Sequence, residues 1–216
     1  MKKNINVVFF SDLKNITWKE NIISDLNIIL SNLNLKLGKT LGHEIEMREN
    51  GIQEIRTIER PSFSNDENKI ELTFIEDRID FKFEVEDTDV IEKIKYYFDY
   101  LEQITAKLEL NIYRIGVNCT GNLKEIDLSN SYLPLYEPKE VINNFGIKQN
   151  IVKNLSTDNI KINILTAIEI EPKISVYLVD FNTIPNNQKL SENNRKEFLE
   201  KILSDMPLLI NKIENL

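Results

Sequence analysis

Lys69-Ile70-Glu71-Leu72-Thr73-Phe74-Ile75-Glu76-Asp77-Arg78-Ile79-Asp80-Phe81-Lys82-Phe83-Glu84-Val85 is the stretch on which the fold turns. Ile70, Leu72 and Phe74 alternate with polar residues, and beyond Glu76-Asp77 the alternation resumes at Ile79, Phe81, Phe83 and Val85. Successive side chains of a strand point to opposite faces, so two such runs predict an antiparallel hairpin with one apolar face that needs a cover. That cover follows at once. Asp89 with Glu92 three residues on reads as an N-cap, and Val90, Ile91, Ile94, Tyr97, Phe98, Leu101, Ile104 and Leu108 recur at helical spacing.

Further out the same two periods recur. Asn111 to Cys119 reads as a strand, with Gly121 marking its end. Ile162, Ile164, Ile168 and Ile170 precede Glu171-Pro172-Lys173, after which Ile174, Val176 and Leu178 predict a second hairpin. Ser191 starts a helix with a stripe at Phe198, Ile202, Met206, Leu209, Ile213 and Leu216, and Pro207 should bend it or restart it from Asp205. At the amino end, Asn4 to Phe10 suits a strand, Trp18 to Leu37 a helix and Ile52 to Ile58 another strand. A seam is expected near residues 128–158, where Pro134 and Pro138 favour an extended crossing and a short helix follows from Lys139 to Asn150. Together these predict an α+β chain, residues 1–216 forming one compact domain or two packed halves, its mainly antiparallel sheet covered by long amphipathic helices.

Composition narrows the function. The chain of 216 residues carries 27 basic and 35 acidic side chains, a formal charge of −8, which disfavours a broad attraction to nucleic acid or anionic lipid. One Cys cannot form an internal disulfide, and one Cys with one His cannot supply the usual structural zinc site. No apolar run approaches the ~20 residues that span a bilayer, and Ile5 to Phe10 is too short for a signal-peptide core, so a cytoplasmic protein is expected. No cofactor or metal site is expected.

Several constellations invite chemistry, and each has a plainer structural reading. Gly38-Lys39-Thr40 ends like a phosphate-binding loop, but Leu33 stands where the motif needs glycine, and helix termination at Gly38 is the simpler reading. His43-Glu44 begins like a zinc-protease motif, yet Met47 occupies the second histidine's place; Glu44, Glu46 and Glu49 read as a solvated charged loop. Asp66, Asp80 and Lys82 imitate the spacing of magnesium-dependent nucleases, in which two acids hold the metal and a lysine steadies water or phosphate. Strand periodicity instead puts Asp80, Lys82 and Glu84 on the wet face of an amphipathic strand. Cys119 has no local base and reads as a buried thiol. Tyr96 and Tyr100, four apart on the edge of a helix stripe, are the candidate protein-binding residues, because tyrosine combines contact area with a polar tip.

Tyr113-Arg114-Ile115-Gly116-Val117-Asn118, Val176-Tyr177-Leu178-Val179-Asp180-Phe181 and the final amphipathic helix resemble landmarks of a sporadically distributed family of uncharacterised bacterial proteins. That resemblance covers about the last two-thirds of the chain. The strand-strand-helix layout is also loosely similar to SecB-like export chaperones and antitoxin-associated chaperones, which hold extended polypeptide on apolar grooves. Both resemblances imply a cytosolic bacterial or phage protein without catalytic machinery, in a mobile-element or defence setting. The expected function is a non-enzymatic protein-binding factor, such as an immunity protein, antitoxin-like inhibitor or chaperone, that offers a sheet edge or a helix face to a protein partner. The alternatives are a magnesium-dependent nuclease or phosphotransfer enzyme built on Asp66, Asp80 and Lys82, and a structural phage or homo-oligomer subunit.

Overall fold

A computed structural model describes residues 2–47, 53–123, 145–155, 160–170, 175–185 and 188–215. In chain order the elements are β1 (Lys2–Phe10), α1 (Glu20–Ile29), β2 (Lys36–Met47), β3 (Gln53–Asn65), β4 (Ile70–Phe74), β5 (Arg78–Glu86), α2 (Val90–Lys107), β6 (Arg114–Leu123), β7 (Phe145–Asn154), β8 (Lys161–Ile170), β9 (Ser175–Thr183) and α3 (Glu192–Glu214). The nine strands make one sheet in the order β2-β3-β4-β5-β1-β6-β9-β8-β7, and every neighbouring pair is antiparallel. The first strand of the chain therefore sits at the centre and joins two groups of strands.

This corrects the expected α+β architecture of sheets covered by long helices. Among the described residues the nine strands hold many more positions than the three helices, so the molecule is sheet-dominated. The helices lie over the middle of the sheet: α2 packs on β1 and β5, α3 on β9 and β6, and α1 on α2. The physical reason lies in the register. Ile5, Val7 and Phe9 of β1 align with Ile79, Phe81 and Phe83 of β5 and with Ile115, Val117 and Cys119 of β6, so all the apolar positions fall on one face. Against it α2 sets Ile94, Tyr97, Phe98, Leu101 and Ile104, all buried. Phe98 meets Phe9 edge-on at 4.9 Å between ring centres, and Tyr97 leans on Phe83 at 4.3 Å. Each such side chain contributes about 1.5–3 kcal/mol on burial.

The two hairpins form as their alternation predicts, β4 with β5 and β8 with β9. Other local expectations give way. The helix over Trp18–Leu37 stops at Ile29, passes through a 3-10 turn at Ser31–Leu33, and is turned by Asn34 in the left-handed region at φ 51° into β2. Gly38 thus lies inside a strand and does not end a helix. The charged-loop reading of Glu44 and Glu46 is likewise replaced by β2, while Glu49 lies outside the described residues. The strand over Ile52–Ile58 extends to Asn65. Of the predicted helix over Lys139–Asn150, residues 139–144 lie outside the described residues and the rest is strand β7. Most of the seam near 128–158 lies outside them too.

Caps differ as well. Asp89 makes no side-chain bond to its helix; a 3-10 turn at Asp87–Asp89 leads into α2. Ser191 forms a reciprocal capping box with Asn194. Pro207 sits within an unbroken α3 and does not restart it, because Met206 and Ile210 on either side are buried against the sheet and compensate for the backbone bond that proline cannot donate.

The carboxyl end of α3 is pinned to the first strand. Lys3, buried, pairs with Glu214, which also accepts from the Tyr177 hydroxyl at 2.9 Å. Lys3, Gly121 and Tyr177 are direct neighbours across β1, β6 and β9, and a Cβ on Gly121 would come within 2.6 Å of the Tyr177 hydroxyl.

Candidate functional site

On the face away from the helices, the same strands carry a polar belt. Asp80 of β5 accepts from Asn6 Nδ2 at 3.2 Å and from Arg78 Nε at 2.9 Å, and is only 3% exposed. Two strands beyond β1, Asp180 of β9 accepts from Asn182 Nδ2 at 2.5 Å, and Asn182 Oδ1 accepts from Arg114 at 3.3 Å. Gly116 makes room for this chain, since a Cβ there would meet Asn182 Oδ1 at 2.4 Å. Arg114 also lies over the Phe10 ring, 4.8 Å from its centre. Burial raises the Asp180 carboxyl above the usual aspartate value, while the Asn182 bond and the Arg114 charge pull it back. Beside the belt is an open cavity of about 660 Å³, whose lining includes Asn4, Asn6, Asn118, Thr120, Lys82 and Asp66.

Asp80 and Lys82 stand two apart on the open face of β5, and Asp66 lies in the turn after β3. Asp80 is held by Arg78 and Asn6. Lys82 is half-exposed and faces Glu71 at 3.5 Å, and Asp66 is exposed in the turn after β3. Only Asp66 and Lys82 share the cavity. Among the described residues no group of three or more His, Cys, Asp or Glu could hold a metal ion. Asp80 and Asp180 stand three strand steps apart, roughly 14 Å at the ~4.8 Å spacing of a sheet. That exceeds the ~9.5 Å upper separation at which two carboxyl groups share acid–base work on one glycosidic bond.

The remaining candidates fall elsewhere. Tyr96 is 41% exposed, whereas Tyr100 is 7% exposed and its hydroxyl lies 3.2 Å from that of Tyr96. Burial, reinforced by Tyr96, pushes the Tyr100 hydroxyl up to about 12. The pair therefore offers one exposed ring, beside a hollow lined by Asn32, Asn34, Asn68, Glu92 and Lys93. Cys119 is buried on the helix-covered face, and His43 lies on β2, five strand steps and roughly 24 Å away. They form no nucleophile and base pair.

The β2–β3 ribbon was not foreseen from the sequence. β3 meets β4 only from Ser62 to Asn65, whereas the β2–β3 pairing runs on from Lys39↔Pro61 to Met47↔Gln53. Those nine pairs form a two-stranded arm reaching roughly 30 Å beyond β4. Pro61 marks its root, where a missing N–H costs least because β4 is ending. Leu37 and Leu41 on β2 are 51% and 59% exposed, Lys39 pairs with Glu59 at 2.6 Å, and Arg60 lies over Gly42. The alternation of Leu35, Leu37 and Leu41 with Lys36, Gly38 and Thr40 is the signal that could have revealed it.

No helix among the described residues is long and apolar enough to cross a membrane. No protein-family model matches the chain, and no curated protein matches it.

Proposed function

We propose that this chain is a non-enzymatic, cytoplasmic protein-binding factor that meets its partner through the β2–β3 arm, in the manner of an immunity protein, an antitoxin-like inhibitor or a chaperone. The observation that carries this reading is the arm itself. An isolated two-stranded ribbon is marginally stable in water, so nine paired positions held clear of the sheet, with Leu41 exposed on them and Leu37 exposed just before their root, are best explained by a surface that covers them. The outer edge of β2 also has backbone groups free for strand addition among the described residues. The scattered acids of the polar belt favour a binding surface over a reaction centre.

The test is purification of the tagged full chain from its native host, beside a Leu37→Lys/Leu41→Lys variant, with mass spectrometry of what copurifies. One stoichiometric protein retained by the wild type and reduced about tenfold or more in the variant is the expected result. A broad set of unfolded clients would point to the chaperone form of the reading. Metal-dependent cleavage of nucleic acid by the purified protein, abolished by Asp80→Ala, would overturn it.

A further inference from the structure

We propose that the hollow beside Tyr96 is a binding site for a neutral sugar, which lays one pyranose ring against the tyrosine. The hollow measures about 510 Å³, inside the ~300–1,000 Å³ of small-molecule sites. It opens where three segments meet: the 3-10 turn and its exit at Asn32 and Asn34, the β3–β4 turn at Asn68, and the first two turns of α2 at Glu92, Lys93 and Tyr96.

Its walls are fixed before any ligand arrives. Tyr96 is 41% exposed, yet it meets Tyr97 and Tyr100 edge-on at 5.2 and 5.1 Å between ring centres, and both of these rings are buried. Asn32 bonds the Tyr100 hydroxyl, which lies 3.2 Å from that of Tyr96. Asn65 ties the other two walls together, since its Nδ2 donates to the Asn34 carbonyl at 3.2 Å and its Oδ1 accepts from the Asn68 N–H at 3.1 Å. A site that needs little ordering loses less entropy on binding.

The chemistry of the lining selects the ligand. Three amides, each able to donate and to accept, surround an exposed aromatic ring. A pyranose is their complement, with C–H groups on one face and, around its rim, hydroxyls that also donate and accept. Charge argues against an ion. Glu84 and Glu92 line the hollow, but Lys2 bonds Glu84 at 2.5 Å and Lys93 lines it too, so two carboxylates meet two ammonium groups. Lys93 Nζ already stands over the Tyr96 ring, 5.8 Å from its centre, where a second cation would meet like charge. Lys93 is exposed on a long stem and can swing aside for a neutral ring. The site is separate from the arm and does not depend on its role.

Saturation-transfer NMR on the full chain tests this, with methyl glucoside, methyl galactoside, methyl mannoside and N-acetylglucosamine as probes. At least one should bind saturably with a Kd on the order of 1 mM, as a ligand of about a dozen heavy atoms allows. Tyr96→Ala should weaken it about tenfold or more, and Tyr96→Phe, which keeps the ring, about threefold or less. Asn68→Ala, in an exposed turn, should weaken it about threefold and keeps the test sound if the tyrosine variant fails to fold. No transfer from any of these sugars, binding unaltered in Tyr96→Ala and Asn68→Ala, or a preference for tetramethylammonium or adenosine would overturn the proposal.

Discussion

The two faces of the central strands are built from alternate residues of the same segments, yet they have opposite characters. Phe81 and Phe83 of β5 are buried beneath α2, while Lys82 between them is half-exposed over a cavity. Val117 and Cys119 of β6 are buried, while Asn118 and Thr120 line that cavity. Covering by a helix makes one face the source of stability and leaves the other open to polar side chains.

Urea unfolding of adjacent residues puts this contrast to its hardest test. Phe81→Ala should cost about 3–5 kcal/mol, because its ring fills a fully buried place against Tyr97. Lys82→Ala, one residue away, should stay within about 0.5 kcal/mol. Comparable costs would abolish the distinction between the faces.

The glycines of β6 sharpen it. Gly121→Ala on the covered face meets the rigid Tyr177 ring at 2.7 Å and should destabilise by about 1–3 kcal/mol. Gly116→Ala on the open face meets the movable end of Asn182, so its cost should be nearer the ~1 kcal/mol of one lost hydrogen bond. A larger effect at Gly116 would show the polar belt to be as rigid as the core.

Carboxyl groups at the margin and in the belt respond to pH in opposite directions. Burial would raise Asp205, but bonds from Lys201, Ser204 and Lys153 overcome it and hold the carboxyl at about 2. A depressed folded value adds stability above the ordinary aspartate range, and that stability is lost as pH falls towards about 2. Asp205→Asn should therefore cost roughly 2 kcal/mol at pH 7 and much less at pH 2, measured by urea midpoints. Asp180 is raised, so the folded state holds its proton longer and the group removes stability as pH climbs past the usual aspartate value. Asp180→Asn should flatten that part of the profile, the smallest effect of the set.

Much of the fold was legible wherever apolar residues kept one period. The β4–β5 and β8–β9 hairpins and α2 carry their instructions in Ile70 to Val85, Ile162 to Leu178 and Val90 to Leu108. β7 was not legible, because Ile147 and Ile151 are four apart, as on a helix face, and pairing with β8 decides the matter. Of the open-face belt, alternation alone placed Asp80 and Lys82 on the side away from the helices; Lys82 is solvated there, but Asp80 is buried by Asn6 and Arg78, which the wet-face expectation did not foresee. The partnership of Arg114 with Asn182 crosses 68 positions and left no local trace.

By itself the sequence determined which side of most strands is apolar, the β4–β5 and β8–β9 strand pairs, the two long helical stripes and the net negative charge. The tertiary structure alone decided that β1 stands at the centre of one sheet, that β2 and β3 leave it as an arm, and that Asp80 and Asp180 lie three strands apart. Alternation and helical spacing are imposed by neighbours a few residues away. The order of strands, the choice of edges and the separation of charges depend on residues that meet only when the whole sheet closes its register.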